Sequence, residues 1–155
     1  MTTATAAALG AAIIAMIAVT VLTLRHRYTV ITVRGPSMTP TLREGEKVLA
    51  RRVRGQAVRN GDIIILRVPG TGADGRPNRY TAVKRVAATA GDPLPAFLPP
   101  QATTSSELLP TGHLAVLSDN PKGSVDSRAW GLVPAANVLA KVVRKLLTLP
   151  ARQAA

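Results

Sequence analysis

Two residues in this chain stand in settings that suit nucleophilic chemistry. Ser37, one of six serines, lies in Arg34-Gly35-Pro36-Ser37-Met38-Thr39-Pro40, where an extended run ends between a glycine and two prolines. Glycine lets the backbone bend, and proline fixes φ and removes a competing N–H, so a serine there is presented on a stiff turn. Lys84 lies in Tyr80 to Ala87 (YTAVKRVA). In an extended chain its same-face neighbours are Ala82 and Val86, while Thr81, Val83 and Arg85 point the other way. Lysine in apolar company loses solvent, which disfavours the ammonium and lowers its pKa from ~10.4. A depression of two or three units requires about 3–4 kcal/mol from burial. A neutral lysine can accept a serine proton as general base. Taken alone, each is ordinary: a turn serine and a surface lysine.

A third feature is Ser118-Asp119-Asn120-Pro121-Lys122-Gly123-Ser124-Val125-Asp126-Ser127-Arg128, followed by Trp130, the only tryptophan. Ser, Asp and Asn bond readily to nearby backbone, so a structural loop is one reading. The other has Asp126 paired with Arg128 and Ser124 presenting a hydroxyl to a buried group. His113, which opens a strand after Thr111-Gly112, is a rival base in a Ser37–His113–Asp triad. A histidine at a strand start is more often an exposed turn residue.

Composition narrows the classes. Cysteine is absent and there are two histidines, which excludes disulfides, thiol catalysis and cysteine-ligated metal sites and disfavours a histidine-rich one. The formal charge of +12 draws the chain toward polyanions. Aromatics at 3% offer little to stack on bases and no basic recognition helix is present, so a membrane surface is the expected partner and nucleic acid is not.

The elements that must position these residues follow from patterning. Met1 to Leu24 contains no charged side chain. Ala4 to Leu24 would reach roughly 30 Å as a helix, about one hydrocarbon thickness, and it is apolar on every face. A cleavable signal peptide would want a basic start, a shorter apolar run and a small-x-small exit; here the exit is Arg25-His26-Arg27. Residues 1–27 are therefore expected to be an uncleaved transmembrane anchor with its flank, and 28–155 a β-rich domain. Strands are expected at Tyr28 to Val33, Lys47 to Val53, Ile63 to Val68, Tyr80 to Ala87, His113 to Leu117 and Val138 to Leu147, short runs rich in β-branched residues and bounded by turn signals. The last fits a helical spacing equally well through Leu139, Val142, Val143 and Leu146. Pro69 to Arg79 is expected to be a glycine-rich hairpin tip, and Asp92 to Thr111, with five prolines, a long irregular connection.

These pieces, in this order behind one apolar span, resemble the type I signal peptidase family. The resemblance rests on Pro36-Ser37-Met38-Thr39-Pro40-Thr41, on Lys84-Arg85-Val86 with Gly91-Asp92, on Gly112-His113-Leu114, on Ser118-Asp119-Asn120-Pro121, and on Ser124-Val125-Asp126-Ser127-Arg128 leading into Gly131-Leu132-Val133-Pro134. It covers most of Tyr28 to Val143. It implies a mainly β, antiparallel catalytic domain and a membrane-bound serine endopeptidase with a Ser/Lys dyad. Ser37 would attack the scissile carbonyl and neutral Lys84 would take its proton. Ser124 would orient the lysine by a hydrogen bond, and Asp126 with Arg128 would hold that loop. The Ser37 backbone N–H would meet the oxyanion. Ile31 and Val33, two apart and so on one face, match positions lining shallow apolar substrate pockets, with Leu42 adding to them. The substrates implied are exported preproteins or leader-bearing precursors, cut after small residues at −1 and −3. No metal or nucleotide motif is present and the implied mechanism needs no cofactor.

The chain also departs from the family pattern. Many members carry a hydroxyl residue, a second oxyanion donor, where this chain has Gly35. The turn after the lysine is Ala88-Thr89-Ala90-Gly91-Asp92 rather than a Gly-x-Pro-Gly-Asp-like one, and the stretch from Asp92 to Gly112 leaves no room for the extra β domain of larger members. A dedicated maturase for a pilin or peptide leader would look much the same. So would a catalytically inactive, membrane-tethered module of the same fold, and a basic membrane-tethered nucleic-acid binder is a third rival. The family places its catalytic domain outside the cytoplasm, against the positive-inside bias of Arg25 and Arg27. An extracytoplasmic domain on a single-pass anchor in the cell membrane is the expectation, with Arg51, Arg52, Arg54 and Arg59 available to phospholipid headgroups.

Overall fold

The structure, a computed structural model, describes residues 2–53, 57–71, 77–100 and 107–146. A long helix α1 (Thr2–Arg27) passes directly into β1 (Tyr28–Thr32). From Leu9 to Leu24 its large apolar side chains are exposed all round, and Ala8–Arg27 is long and apolar enough to cross a membrane. The Thr20 and Thr23 hydroxyls donate to the carbonyls of Met16 and Val19 one turn back, at 2.8 and 2.7 Å, so these polar groups are satisfied within the helix.

The rest is mainly β. After β1 come β2 (Lys47–Arg52), β3 (Ile63–Thr71), β4 (Pro77–Thr89), β5 (His113–Leu117), the short helix α2 (Ser127–Trp130), β6 (Val133–Pro134), a 3-10 turn at Ala135–Asn137, and β7 (Val138–Lys145). They form one seven-stranded antiparallel sheet in the order β1-β2-β7-β3-β4-β5-β6. The segment with both helical and strand spacing is thus the strand β7; it pairs with β2 on one side and β3 on the other. Leu147 lies outside the described residues.

Period-two alternation along β3 sends side chains to two cores. Ile64, Leu66 and Val68 pack with Val86, Leu114, Val116 and Val138 on one face, while Ile65 on the other packs with Ala50 and Ala140. A further cluster of Val33, Met38, Leu42 and Val48, with Ile31, Ile63, Val83 and Val142 against it, lies beneath the turn that follows β1.

Two expectations need correction. The β3–β4 ribbon runs to Thr71 and back from Pro77, through residues expected to be a hairpin tip, with Pro69 opposite Arg79 and Gly70 opposite Asn78. Neither β7 nor β5 reaches that end, so Pro69 is needed as a donor by no third strand. Residues 72–76 lie outside the described ones. The connection after Asp92 is also more ordered than its prolines suggest: Pro93 bridges Leu108, and Leu98 and Leu109 are buried against Ala88 and Ala115. Residues 101–106 lie outside the described ones.

Candidate active site

Ser37 owes its position to what surrounds it on the chain. Beyond Thr32 the backbone leaves the sheet and turns at Gly35, whose φ of +77° is one that side-chain-bearing residues rarely adopt. Met38, fully buried, anchors the turn in the core beside Val33, Leu42 and Val48. Thr39 N–H closes onto Pro36 O at 3.0 Å, and Leu42 N–H onto Met38 O at 2.8 Å. From across the sheet, Asn120 N–H donates to Ser37 O at 2.9 Å and its Nδ2 to Pro36 O at 3.2 Å. Ser37 itself is half-buried and faces a cleft of about 670 Å³.

Lys84 faces the same cleft from β4. It stands between Ala82 and Val86, both in the core cluster on that face, and is only 4% exposed. Its Nζ donates to Ser118 Oγ at 2.7 Å and lies 5.6 Å from the centroid of the Trp130 ring. Burial lowers its pKa below the ordinary lysine value; the nearby Arg128 charge adds to that and the Asp126 charge opposes it.

The third side is the loop from Ser118 to Trp130. Asp126, 1% exposed, is the knot of it. Its carboxylate caps α2 by accepting from Arg128 N–H, accepts from Ser118 N–H at 2.8 Å, and takes the Arg128 guanidinium on both oxygens at 2.9 and 2.6 Å. Burial pushes the Asp126 carboxyl up, but Arg128, the two N–H groups and the Ser118 hydroxyl outweigh it and bring the pKa to about 2. Ser127 Oγ accepts from Val116 N–H at 2.9 Å, tying the loop to β5.

The expected residues do not all lie where the sequence put them. Ser37, Lys84, Ser124 and Ile31 all line the cleft. Val33 and Leu42 do not: both are buried in the core under the Ser37 turn, in the cluster against which Ile31 also packs. Asp126 and Arg128 are paired. Ser124 is not the hydroxyl bonded to Lys84; that is Ser118, and Ser124 Oγ is buried with no hydrogen-bond partner among the described residues. His113 lines a different pocket, beside Val58 and Thr89, and its Nδ1 lies 3.2 Å from Thr111 O, which removes it as a base for Ser37. Sequence reasoning counted Ser118-Asp119-Asn120-Pro121 and Lys84-Arg85-Val86 among the motifs of the resemblance but gave no role to Ser118, to the Asn120 clamp or to the Arg85–Asp119 ion pair at 2.6 Å. The juxtaposition of Ser118 with Lys84 depends on strand register, which no local pattern reveals.

Two stretches of open strand edge border the cleft. Among the described residues β1 pairs only with β2, and β4 pairs with β5 only from Arg85 onward, so Ile31 and Thr32 on one wall and Tyr80 to Lys84 on the other keep main-chain groups free on the cleft side. Such edges accept an extended peptide as an added strand. Among the described residues no three side chains of metal-ligating type come together. The cleft therefore offers a hydroxyl, an amine of lowered basicity, and strand edges.

The profile of the signal peptidase family, peptidase S26, matches residues 3–96 and 95–147. The chain is 38% identical over 105 residues to the mitochondrial ATP-independent inner membrane protease subunit 1b of Arabidopsis thaliana, covering 64% of this chain and 59% of that one. It thus spans about three fifths of the length of that relative. It is 31% identical over 120 residues to the mitochondrial inner membrane protease subunit 1 of Schizosaccharomyces pombe, covering 75% of this chain and 71% of that one. Against the human mitochondrial inner membrane protease subunit 1 it is 30% identical over 117 residues, 74% of this chain and 67% of that one. With its antiparallel sheet, its apolar N-terminal helix and a profile match running almost from end to end, this chain belongs to the signal peptidase family, peptidase S26.

Proposed function

We propose that this chain is a membrane-anchored serine endopeptidase that removes N-terminal signal or leader segments from exported precursors by a Ser/Lys dyad. The observation that carries the reading is that Ser37 and Lys84 line one cleft while burial lowers the basicity of Lys84. An extended precursor lies between the edges of β1 and β4, with small side chains against Ile31, Ala82 and Val83. Ser37 Oγ attacks the scissile carbonyl carbon as its proton passes to neutral Lys84, and the Ser37 N–H stabilises the oxyanion. The C–N bond then breaks as Lys84 returns that proton to the leaving amine. Water, deprotonated by Lys84 in turn, hydrolyses the acyl-enzyme and frees Ser37.

The anchor sets the place of action. With α1 across the cell membrane as a single span, the catalytic domain lies on the extracytoplasmic side. Arg25 and Arg27 at the end of α1, and Arg51 opposite Tyr28 at the start of β1, then meet anionic phospholipid headgroups.

The test is cleavage of a panel of Ala-x-Ala precursor peptides by the detergent-solubilised chain, with Ser37→Ala and Lys84→Ala alongside. Cleavage after the −1 alanine, absent from both variants, supports the reading. Cleavage confined to a few peptides makes it a dedicated maturase. An inert wild type, beside a working control peptidase, makes it a tethered module without activity.

A further inference from the structure

The hydroxyl that holds Lys84 sits at the end of a strand rather than in the loop where the sequence placed it. β5 pairs with β4 so that Leu117 faces Arg85, and this register brings Ser118, the first residue beyond β5, beside Lys84. Lys84 Nζ donates to Ser118 Oγ at 2.7 Å, with both residues buried, 4% and 7% exposed. Ser118 is fixed from behind: its N–H donates to Asp126 Oδ2 at 2.8 Å. A hydroxyl oxygen carries two lone pairs and so can accept an N–H of the amine. Arg128, forked onto both Asp126 oxygens, keeps the carboxylate in place.

Resting on the Ser/Lys reading above, we propose that Ser118 is the positioning residue of Lys84, the last link of a chain Arg128–Asp126–Ser118–Lys84. It holds one amine N–H and so leaves the nitrogen lone pair for the proton of Ser37. Ser124, whose buried hydroxyl is without a partner among the described residues, does not hold the amine in this arrangement. Lys84 Nζ is bonded to Ser118 Oγ and lies near the Trp130 ring, the charges of Asp126 and Arg128 act on it, and Ser37 and Ser124 line the same cleft.

The experiment measures kcat and KM against pH for the detergent-solubilised full chain on an Ala-x-Ala peptide, comparing wild type with Ser118→Ala, Ser118→Thr and Ser124→Ala. Ser118→Ala is expected to lower kcat about tenfold or more with KM little changed. Its acid limb moves to lower pH, because an acceptor that favours the ammonium is gone. Ser118→Thr, which keeps the hydroxyl, restores most of kcat and the wild-type limb. A second readout needs no turnover: NMR titration of the Lys84 side chain in a Ser37→Ala background shows a lower Lys84 pKa when Ser118 is alanine. The proposal is overturned if Ser118→Ala keeps the wild-type kcat and titration while Ser124→Ala loses both. It is equally overturned if Ser118→Ala, still folded by circular dichroism, loses rate with an unmoved limb and an unmoved Lys84 titration. Wild-type cleavage that survives in Ser37→Ala sinks the Ser/Lys reading instead, and the two failures are thereby distinct.

Discussion

Arg85 forks onto Asp119, with Nε 2.8 Å from Oδ1 and Nη2 2.6 Å from Oδ2, while its remaining nitrogen donates to Gly61 O at 2.8 Å. Arg85 is the residue after Lys84, and Asp119 the residue before Asn120, which clamps the Ser37 turn. One ion pair thereby links the strand bearing the amine to the loop that holds the serine. Replacing Arg85 by methionine leaves a half-buried carboxylate unpaired and is expected to cost about 1–3 kcal/mol in chemical denaturation. Cleavage should fall further than stability does, because the proposed nucleophile and base lose their common brace. Unchanged cleavage in a folded Arg85→Met protein would mean that the brace is irrelevant to the site.

The proposed base works only when neutral, so the rate rises with pH through the Lys84 pKa. Burial holds that pKa below the ordinary value of ~10.4, and the rise is expected at correspondingly lower pH. Arg128 lowers the Lys84 pKa by charge repulsion. Arg128→Gln should therefore move the acid limb of kcat to higher pH. A shift the other way in the pH–rate profile would refute this electrostatic account.

Stability in acid should report Asp126. Its pKa is about 2 in the folded chain against ~3.9 unfolded, so the folded state gains from the ionised carboxylate. The gain is complete above about pH 5, and is lost as pH falls through 4 toward 2; it amounts to roughly 2 kcal/mol. Urea denaturation between pH 6 and pH 2 should show this slope in wild type. Asp126→Asn, less stable at neutral pH, should lack that part of it.

Gly35 is expected to resist substitution for a reason of backbone rather than space. A Cβ there meets nothing within 4 Å, but φ is +77°. Gly35→Ala should cost about 1–2 kcal/mol and lower the melting temperature. Gly35→Ser carries the same strain, so restoring the hydroxyl common at this place in the family should not raise kcat. A faster Gly35→Ser enzyme would show that the turn relaxes freely and that the serine supplies an oxyanion donor.

What could be read from the sequence follows from the range of the forces involved. The environment of Lys84 was legible because alternation within one strand is local: Ala82 and Val86 do flank it in the core. The Ser37 turn was legible from Gly35 and the prolines around it. Val33 and Leu42 lie in the core with Met38 and Val48 beneath the Ser37 turn, a tertiary contact that alternation along β1 does not report. The Lys84–Ser118 contact spans 34 residues and rests on how β4 and β5 align, including a register shift between Val86 and Ala88 that no single-strand pattern reveals. β7 was ambiguous for a related reason: its apolar spacing suits helix and strand equally, and only β2 and β3 on either side decide it.

The direct passage of α1 into β1, Arg27 to Tyr28, makes the molecule a ruler. Ile31, on the wall of the cleft, stands four residues beyond the helix, about 13 Å along an extended strand. On the proposed function, with α1 embedded in a bilayer, that distance would set the height at which a peptide bond meets Ser37. A precursor held by its own apolar segment would then have to present its cleavage site at the same height. Selection of the bond to be cut would be shared between the side chains of the cleft and the length of polypeptide that separates that bond from the lipid.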